Sequence, residues 1–81
     1  MLINIGYGNV VNSDKIVAII NSDSAPAKRL SQGAKDAGTA IDATQGRKTK
    51  AIIVTDAHVV LSALLPETIA GRFSGTIQNE S

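Results

Sequence analysis

The sequence predicts an α+β domain with a mostly antiparallel sheet of about five strands and two helices. Several short segments are rich in β-branched residues and are separated by turn residues, which is typical of strands. One longer segment repeats apolar residues at helical spacing. The chain has 81 residues and no internal repeat or linker-like stretch. We therefore expect one domain, residues 1–74, followed by a polar tail, residues 75–81.

The first predicted strands lie at the amino-terminal end. Residues 2–5 and 9–11 are expected to be short and extended, and Gly6-Tyr7-Gly8 between them permits a bend or bulge, because glycine adopts conformations that other residues avoid. Residues 15–20, Lys-Ile-Val-Ala-Ile-Ile, form a clearer strand. Apart from Lys15, this strand is apolar on both of its alternating faces.

A helix is expected between Ser24 and Gly38. Ser24 is a good N-cap, Pro26 suits the first turn, and Gly38 can end the helix. The apolar residues that recur at helical spacing are Ala27, Leu30, Ala34 and Ala37. The opposite face presents Lys28, Arg29, Gln32 and Lys35.

A hairpin is expected after this helix. Residues 39–43 and 51–55 have the composition of strands, and residues 44–48 between them have the composition of a turn. If the two strands pair with each other, Arg47 and Lys48 project from the tip of the hairpin.

The carboxyl-terminal part predicts a last strand and a second helix. Residues 58–64 are mainly β-branched, and the helix is expected from Pro66 through Phe73. Two short helices can hardly cover both faces of a five-stranded sheet whose strands are apolar on both sides. A partner subunit is the economical cover, so the sequence predicts a homo-oligomer.

Composition excludes several kinds of site. The chain has no cysteine and one histidine, so disulfides are absent and no ligand cluster has the spacing of a metal site. We expect no metal and no cofactor. Residues 1–5 lack the charged leader of an export signal, and no apolar run approaches the roughly 18 residues of a membrane span. The chain is therefore expected to be cytoplasmic and independent of membranes.

The basic residues are unevenly distributed, although the formal net charge of the chain is only +1. Residues 28–50 contain six basic and two acidic side chains, a local net charge of +4. The rest of the chain contains two basic and five acidic side chains, a net charge of −3. A basic middle segment indicates a face that meets an anionic partner.

The strongest candidate site is the segment Gly46-Arg47-Lys48-Thr49-Lys50. Arg47, Lys48 and Lys50 lie on or beside the predicted turn, and Thr49 adds a hydroxyl donor. Phosphate oxygens accept hydrogen bonds from such groups, so the segment is a candidate phosphate-binding site. The alternative is a solvated turn whose charges only maintain solubility.

A second basic patch is formed by Lys28, Arg29 and Lys35 on the polar face of the predicted helix. Taken alone, such a patch is typical of a solvated helix face. If the helix and the basic turn lie on the same edge of the domain, the two patches merge into one surface.

The aromatic residues indicate which nucleic acid such a surface binds. Proteins that bind single strands or RNA loops usually stack bases on aromatic side chains, and this chain has only Tyr7 and Phe73. Duplex DNA is therefore the favoured partner. The sequence has no helix-turn-helix pattern, so contacts mainly to phosphates are expected.

An enzymatic alternative rests on Asp56, His58 and Ser62, which are the residue types of a nucleophilic triad. They fall on one predicted strand and are spaced along a line, whereas a triad needs side chains that converge on one point. We therefore expect no catalysis and no small-molecule substrate.

Several segments also have the character of a known family. They include Ile-Asn-Ile-Gly-Tyr-Gly-Asn-Val-Val, Ser-Ala-Pro-Ala-Lys-Arg, Ile-Asp-Ala-Thr-Gln-Gly-Arg-Lys-Thr-Lys, His-Val-Val-Leu-Ser-Ala and Pro-Glu-Thr-Ile-Ala. In order and with matching spacing, these segments resemble the RemA-like family of extracellular matrix regulatory proteins, from about residue 2 to residue 73.

The resemblance implies a transcriptional regulator of biofilm-matrix genes that lacks enzymatic activity, assembles into rings and binds DNA. The binding residues that it implies are Lys15, Arg47 and Lys48, at positions where the family pattern has arginine. Lysine keeps the charge but lacks the planar fork of arginine, so Lys15 and Lys48 cannot form the bidentate phosphate or base contacts of an arginine.

Together, these considerations predict a homo-oligomeric ring that binds double-stranded DNA. The expected binding residues are Lys15, Arg47, Lys48, Lys50, Lys28 and Arg29. The alternative is an oligomeric scaffold whose basic face binds an acidic protein partner. Salt-dependent binding to DNA of arbitrary sequence separates the two.

Overall fold

Two sheets and two α-helices form the fold in the computed structural model, which describes residues 1–72. The predicted α+β class is confirmed. One sheet has two strands and the other has four, so the prediction of a single sheet of about five strands is wrong. The predicted tail, residues 75–81, and Phe73 at the end of the predicted second helix lie outside the described residues.

The two-stranded sheet is an antiparallel hairpin of β1 (Leu2–Gly6) and β2 (Asn9–Asn12). Its pairing is irregular near the turn, where Gly6, Tyr7 and Gly8 have positive φ angles of 105°, 54° and 78°. Glycine tolerates this region, whereas a bulky residue such as tyrosine is strained there. The predicted bend or bulge at these three residues is confirmed.

The four-stranded sheet has a mixed topology. Its strands in chain order are β3 (Ile16–Asn21), β4 (Ala40–Asp42), β5 (Ala51–Thr55) and β6 (Val59–Ser62). Their order across the sheet is β3-β5-β6-β4, so β3 and β4 are its two edges. The β3–β5 and β5–β6 pairs are antiparallel, whereas β4 is parallel to β6.

The predicted hairpin between residues 39–43 and 51–55 is wrong, because β6 lies between β4 and β5. All four residues of β6 are buried, which suits a central strand that is covered on both faces. Two of the three residues of β4 are exposed, which suits an edge. The chain therefore crosses the end of β6 on its way from β4 to β5. Arg47 and Lys48 lie on this longer connection and not on a hairpin tip.

Helix α1 (Ala25–Ala37) begins and ends where the sequence predicts. The Ser24 hydroxyl accepts a hydrogen bond from the Ala27 amide at 3.2 Å and caps the first turn. Gly38 adopts the left-handed conformation, with φ of 76°, and closes the last turn.

The α1 helix connects the edge strand β3 to the opposite edge strand β4 and packs on the middle of the sheet. Its buried residues are Ala27 and Ala34, whereas Leu30 and Ala37 of the predicted apolar stripe are exposed. The side chains buried with the two alanines are Ile52, Val59 and Leu61. A contact face of alanines lets the helix backbone approach the sheet closely.

The other face of the four-stranded sheet packs against the β1–β2 hairpin and the second helix, which is helical over residues 66–72. The buried residues of this layer are Ile3, Ile5, Ala43, Ala51, Ile53, Val60 and Ile69. Residues 1–72 thus bury side chains on both faces of the sheet without a partner subunit, and the homo-oligomer stays a prediction. In the part of the chain that is described, no helix is long and apolar enough to cross a bilayer.

Candidate nucleic-acid interface

The connection from β4 to β5, residues 43–50, carries the exposed side chains of Arg47, Lys48 and Lys50. It opens with a tight turn in which the Arg47 amide donates a hydrogen bond to the Thr44 carbonyl at 3.0 Å. The central residues of this turn, Gln45 and Gly46, have φ angles of 55° and 78°. Two positive φ angles are typical of a type I′ turn, which fixes the direction in which the basic segment leaves.

Asp42 anchors the start of this connection. Its Oδ1 atom accepts hydrogen bonds from the Thr44 hydroxyl at 2.6 Å and from the Thr44 amide at 2.9 Å. These two bonds, with a smaller contribution from the charge of Lys35, hold the pKa of Asp42 below its ordinary value of 3.8. Thr44 is itself buried, so the turn is tied to the body of the domain.

Ser22, which follows β3, ties the far end of the connection to the entry of α1. Its hydroxyl donates a hydrogen bond to the Thr49 carbonyl at 2.8 Å, and its amide donates to the Lys50 carbonyl at 3.3 Å. The Lys50 amide donates in turn to the Ser62 carbonyl at 2.9 Å. The last residues of the connection are therefore held between β3 and β6.

A groove of about 350 Å³ lies between α1 and the end of the connection, and we refer to it as the basic groove. Its lining residues are Ser22, Asp23, Lys28, Ser31, Lys35, Lys48, Thr49, Ile52 and Leu61. A smaller hollow of about 220 Å³ shares Ser22, Asp23, Lys48 and Thr49 with the groove and also contains Lys50. Lys28 and Lys35 of α1 and Lys48 of the connection therefore border one concave surface.

The walls of the basic groove are positively charged. Lys28 and Lys35 lie on the helix wall and Lys48 lies on the loop wall, whereas Asp23 is the one acidic residue among the described residues that line the groove. Within residues 1–72, none of these three lysines forms an ion pair or a side-chain hydrogen bond. Their ammonium groups are therefore available to an anion, and the charged side chains that line the groove sum to +2.

The groove brings together only part of the predicted site. Lys28 and Lys48 line it, and Lys50 lines the adjoining hollow. Arg29 and Arg47 belong to the same two segments but do not line either space. Arg29 is one position away from the helix stripe that faces the groove, and Arg47 precedes the residues that border it.

Lys15 lies at the opposite end of the sheet. It precedes β3 at the end where Ile16 pairs with Thr55, whereas the groove adjoins the other end, where Asn21 pairs with Ala51. The Lys15 ammonium forms an ion pair with the Asp56 carboxylate at 3.7 Å, and these side chains are 60% and 59% exposed. Within one subunit, Lys15 therefore does not belong to the basic groove.

Sequence reasoning missed Ser22 and Ser31 as groove residues. Ser31 lies between Lys28 and Lys35 at helical spacing, so the spacing alone could have placed it on the same face. Ser22 has no such signal, because its bond to Thr49 joins residues 27 positions apart in the chain.

The possible triad does not assemble. Asp56 and His58 lie in the turn between β5 and β6, whereas Ser62 ends β6 and pairs with Ala51 at the other end of the sheet. Ser62 is fully buried, and its hydroxyl donates to the Ile5 carbonyl at 2.8 Å. No group of three metal-ligating side chains is present in the described residues either.

Comparison with known proteins places the chain in a family. The model of the RemA-like family, described as extracellular matrix regulatory protein A-like, matches residues 2–73. A protein of Pseudothermotoga lettingae is 62% identical over 73 residues, which cover 89% of this chain and 80% of that protein. A protein of Kosmotoga olearia is 59% identical over 76 residues, 93% of this chain and 77% of that protein.

A more distant relative extends the match along almost the whole chain. It is a Clostridium botulinum protein that is 52% identical over 80 residues, which cover 98% of this chain and 88% of that protein. All three relatives are named as inferred regulatory proteins, and none is named as an enzyme. The family model and these relatives establish that the chain belongs to the RemA-like family.

Proposed function

We propose that this chain is a DNA-binding regulator that contacts the phosphates of duplex DNA through its basic groove. The observation that carries the proposal is that α1 and the β4–β5 connection, two basic segments separated in the sequence by strand β4, line one groove. Phosphate oxygens are bound by lysine, arginine and hydroxyl groups, and such contacts supply most of the affinity for DNA of any sequence.

The side chains of the groove favour contacts that position the DNA backbone over contacts that recognise individual bases. Lysine is a point charge with three donors and does not form the bidentate pairs that arginine forms with guanine or phosphate. The lysines Lys28 and Lys48 therefore hold the backbone, and Arg47 is the candidate for a directed contact beside the groove. Tyr7, the one aromatic residue within residues 1–72, lies in the β1–β2 turn and offers no stacking platform in the groove.

The proposal includes assembly into a homo-oligomeric ring. The few phosphate contacts of one subunit bind weakly, and linked copies raise the effective affinity without new contacts. Within the described part of the chain, the outer edges of β3 and β4 are unpaired, and Leu2, Val10 and Val17 are exposed apolar residues. These edges and side chains are what another subunit would cover.

Lys15 is proposed to contact DNA only in such an assembly. It corresponds to a family arginine but is separated from the basic groove by the length of the sheet. In a ring, each Lys15 can contact one phosphate while the groove of the same subunit binds a different phosphate. The regulated genes that the family description suggests are those of the extracellular matrix, and the DNA lies in the bacterial cytoplasm.

The test is duplex DNA binding by the wild type and by an Arg47→Ala/Lys48→Ala double variant across a series of salt concentrations. We expect the wild type to bind with an affinity that falls steeply with salt, and the variant to bind more weakly with a shallower slope. The oligomeric state of both proteins is measured in parallel, so that loss of assembly is not mistaken for loss of contact.

Absence of DNA binding by the wild type at low salt would overturn the proposal. The scaffold alternative would then take its place, because the same groove suits the carboxylates of an acidic protein partner.

A further inference from the structure

We infer that the basic groove is a seat for one phosphate group of the DNA backbone, in which Lys35 and Thr49 are contacts together with Lys28 and Lys48. The inference rests on the proposed function in taking DNA as the source of the phosphate. It differs from a diffuse basic surface, in which every exposed cation contributes alike.

The helix wall is the first observation. Lys28, Ser31 and Lys35 are spaced at i, i+3 and i+7 along α1, so they form one stripe, and all three line the groove. Arg29 carries the same charge on the same helix but lies outside this stripe and does not line the groove. The helix therefore presents Lys28 and Lys35 to the groove, whereas Arg29 lies outside it.

The loop wall faces these cations with a lysine and a hydroxyl donor. Lys48 and Thr49 line the groove opposite α1, and the Thr49 backbone is fixed by the bond that Ser22 donates to its carbonyl. Among the groove hydroxyls, Ser22 donates to Thr49 and Ser31 donates to the Lys28 carbonyl. The Thr49 hydroxyl has no hydrogen bond within residues 1–72, so it is the free donor.

The size and the floor of the groove agree with a phosphodiester. Its volume of about 350 Å³ has room for a phosphate together with parts of the flanking sugars. The floor is formed by Ile52 and Leu61, which offer no competing polar group. Among the described lining residues Asp23 carries the one opposing charge, and its carboxylate weakens the attraction for an anion.

The experiment compares duplex DNA binding by four single variants, Lys35→Ala, Arg29→Ala, Thr49→Val and Asp23→Asn, with that of the wild type. Lys35→Ala is expected to weaken binding about tenfold and to lower the salt slope by about one. Arg29→Ala removes the same charge from the same helix, and we expect a smaller loss. Thr49→Val is expected to weaken binding about threefold with an unchanged slope, because no charge is removed.

Asp23→Asn is expected to tighten DNA binding, in contrast to the other three variants, because it removes the negative charge from the lining of the groove. If Lys35→Ala and Arg29→Ala lose equal DNA affinity and Thr49→Val loses none, the single phosphate site is wrong and the basic surface is diffuse. Melting temperatures of all four variants establish that they are folded.

A second arm uses inorganic phosphate and a nucleoside triphosphate without DNA, followed through the amide resonances of Lys48 and Thr49. Shifts that occur in the wild type and are lost in Lys35→Ala support the seat even if the wild type does not bind DNA, in which case only the proposed function fails. If neither DNA nor these anions produce a response, the seat and the proposed function both fail.

Discussion

The Ser62 hydroxyl joins the two sheets of the domain. It donates a hydrogen bond to the Ile5 carbonyl of β1 at 2.8 Å and accepts one from the Leu64 amide at 3.1 Å. Ser62 lies on β6 and is 0% exposed, so both bonds form away from solvent. One side chain therefore links the β1–β2 hairpin, the four-stranded sheet and the segment that leads into the second helix.

Ser62→Ala is expected to lower the free energy of unfolding by about 1–3 kcal/mol. The alanine leaves the buried Ile5 carbonyl and the Leu64 amide without this partner, and an unpaired buried polar group has a desolvation penalty of that size. Urea denaturation measures the change. Ser31→Ala is the control, because among the described residues the Ser31 hydroxyl donates only to the Lys28 carbonyl of its own helix, and its effect should stay within about 0.5 kcal/mol. Similar small effects for both variants would contradict the structural role of Ser62.

The stability contributed by Asp42 is expected to depend on pH. Its pKa in the folded state is lowered by the bonds from Thr44, so the folded state binds this proton more weakly than the unfolded state does. The contribution is therefore present above the ordinary pKa of 3.8 and is lost as the pH falls through the lowered value. Asp42→Asn lacks this titration, so its stability difference from the wild type should shrink in that range. Urea denaturation at neutral and at acidic pH tests this, and a difference that does not change with pH would contradict it.

Asp42→Ala is expected to weaken DNA binding although it removes a negative charge near the site. Asp42 holds Thr44, and Thr44 accepts the bond from the Arg47 amide, so the alanine frees the turn that carries the basic segment. Asp36→Ala is the control, because Asp36 is exposed on α1 and, within residues 1–72, its carboxylate accepts a hydrogen bond only from Gln32 of the same helix. Simple electrostatics predicts tighter binding for both variants, and that result would exclude a positioning role for Asp42.

Two glycines of the α1 region should respond to alanine with opposite signs. An added Cβ meets no atom within 4 Å at either Gly33 or Gly38, so packing does not decide the outcome. Gly33 lies inside the helix, where alanine is favoured by about 1 kcal/mol. Gly38 has φ of 76°, where a side chain costs about 1–2 kcal/mol. The melting temperature should rise for Gly33→Ala and fall for Gly38→Ala, and changes of the same sign would contradict these backbone conformations.

Ile52→Ala and Ile53→Ala should both destabilise the chain by about 2–5 kcal/mol. The two residues are adjacent on β5, are 1% and 0% exposed, and belong to different clusters on opposite faces of the sheet. Val17→Ala is the control, because Val17 is 71% exposed. Denaturation at protein concentrations low enough to dissociate an oligomer is the decisive measurement. A large loss for only one isoleucine would mean that one face needs a partner subunit.

Much of the fold could be predicted because its signals are local. Ser24 and Gly38 mark the ends of α1 through their own capping chemistry, and Gly6 and Gly8 mark the first turn. The partner of β4 could not be predicted in this way. The turn from Thr44 to Arg47 has the geometry of a hairpin turn, yet β6, which comes later in the chain, takes the position beside β5. The central position of β6 depends on the burial of both of its faces, which arises only when the whole domain has folded.

For the candidate site, too, the residue types could be predicted from the sequence, but their arrangement could not. The charges of Lys28 and Lys48 are evident in the sequence, but their common groove depends on α1 crossing the sheet and on the bond from Ser22 to Thr49. Lys15 is separated from the groove by the length of β3, because it precedes the first residue of this strand, whereas the groove adjoins the last residue, Asn21.

The alanine contact of α1 gives the groove a fixed width. Ala27 and Ala34 are 0% and 6% exposed, and they hold the helix that carries Lys28 and Lys35 against the sheet. A valine or leucine at either position would push this helix outward and increase its distance from Lys48. In the proposed phosphate site, selection for a groove that matches the thickness of the DNA backbone would therefore act on two buried methyl groups, which lie beneath the helix and not in the groove.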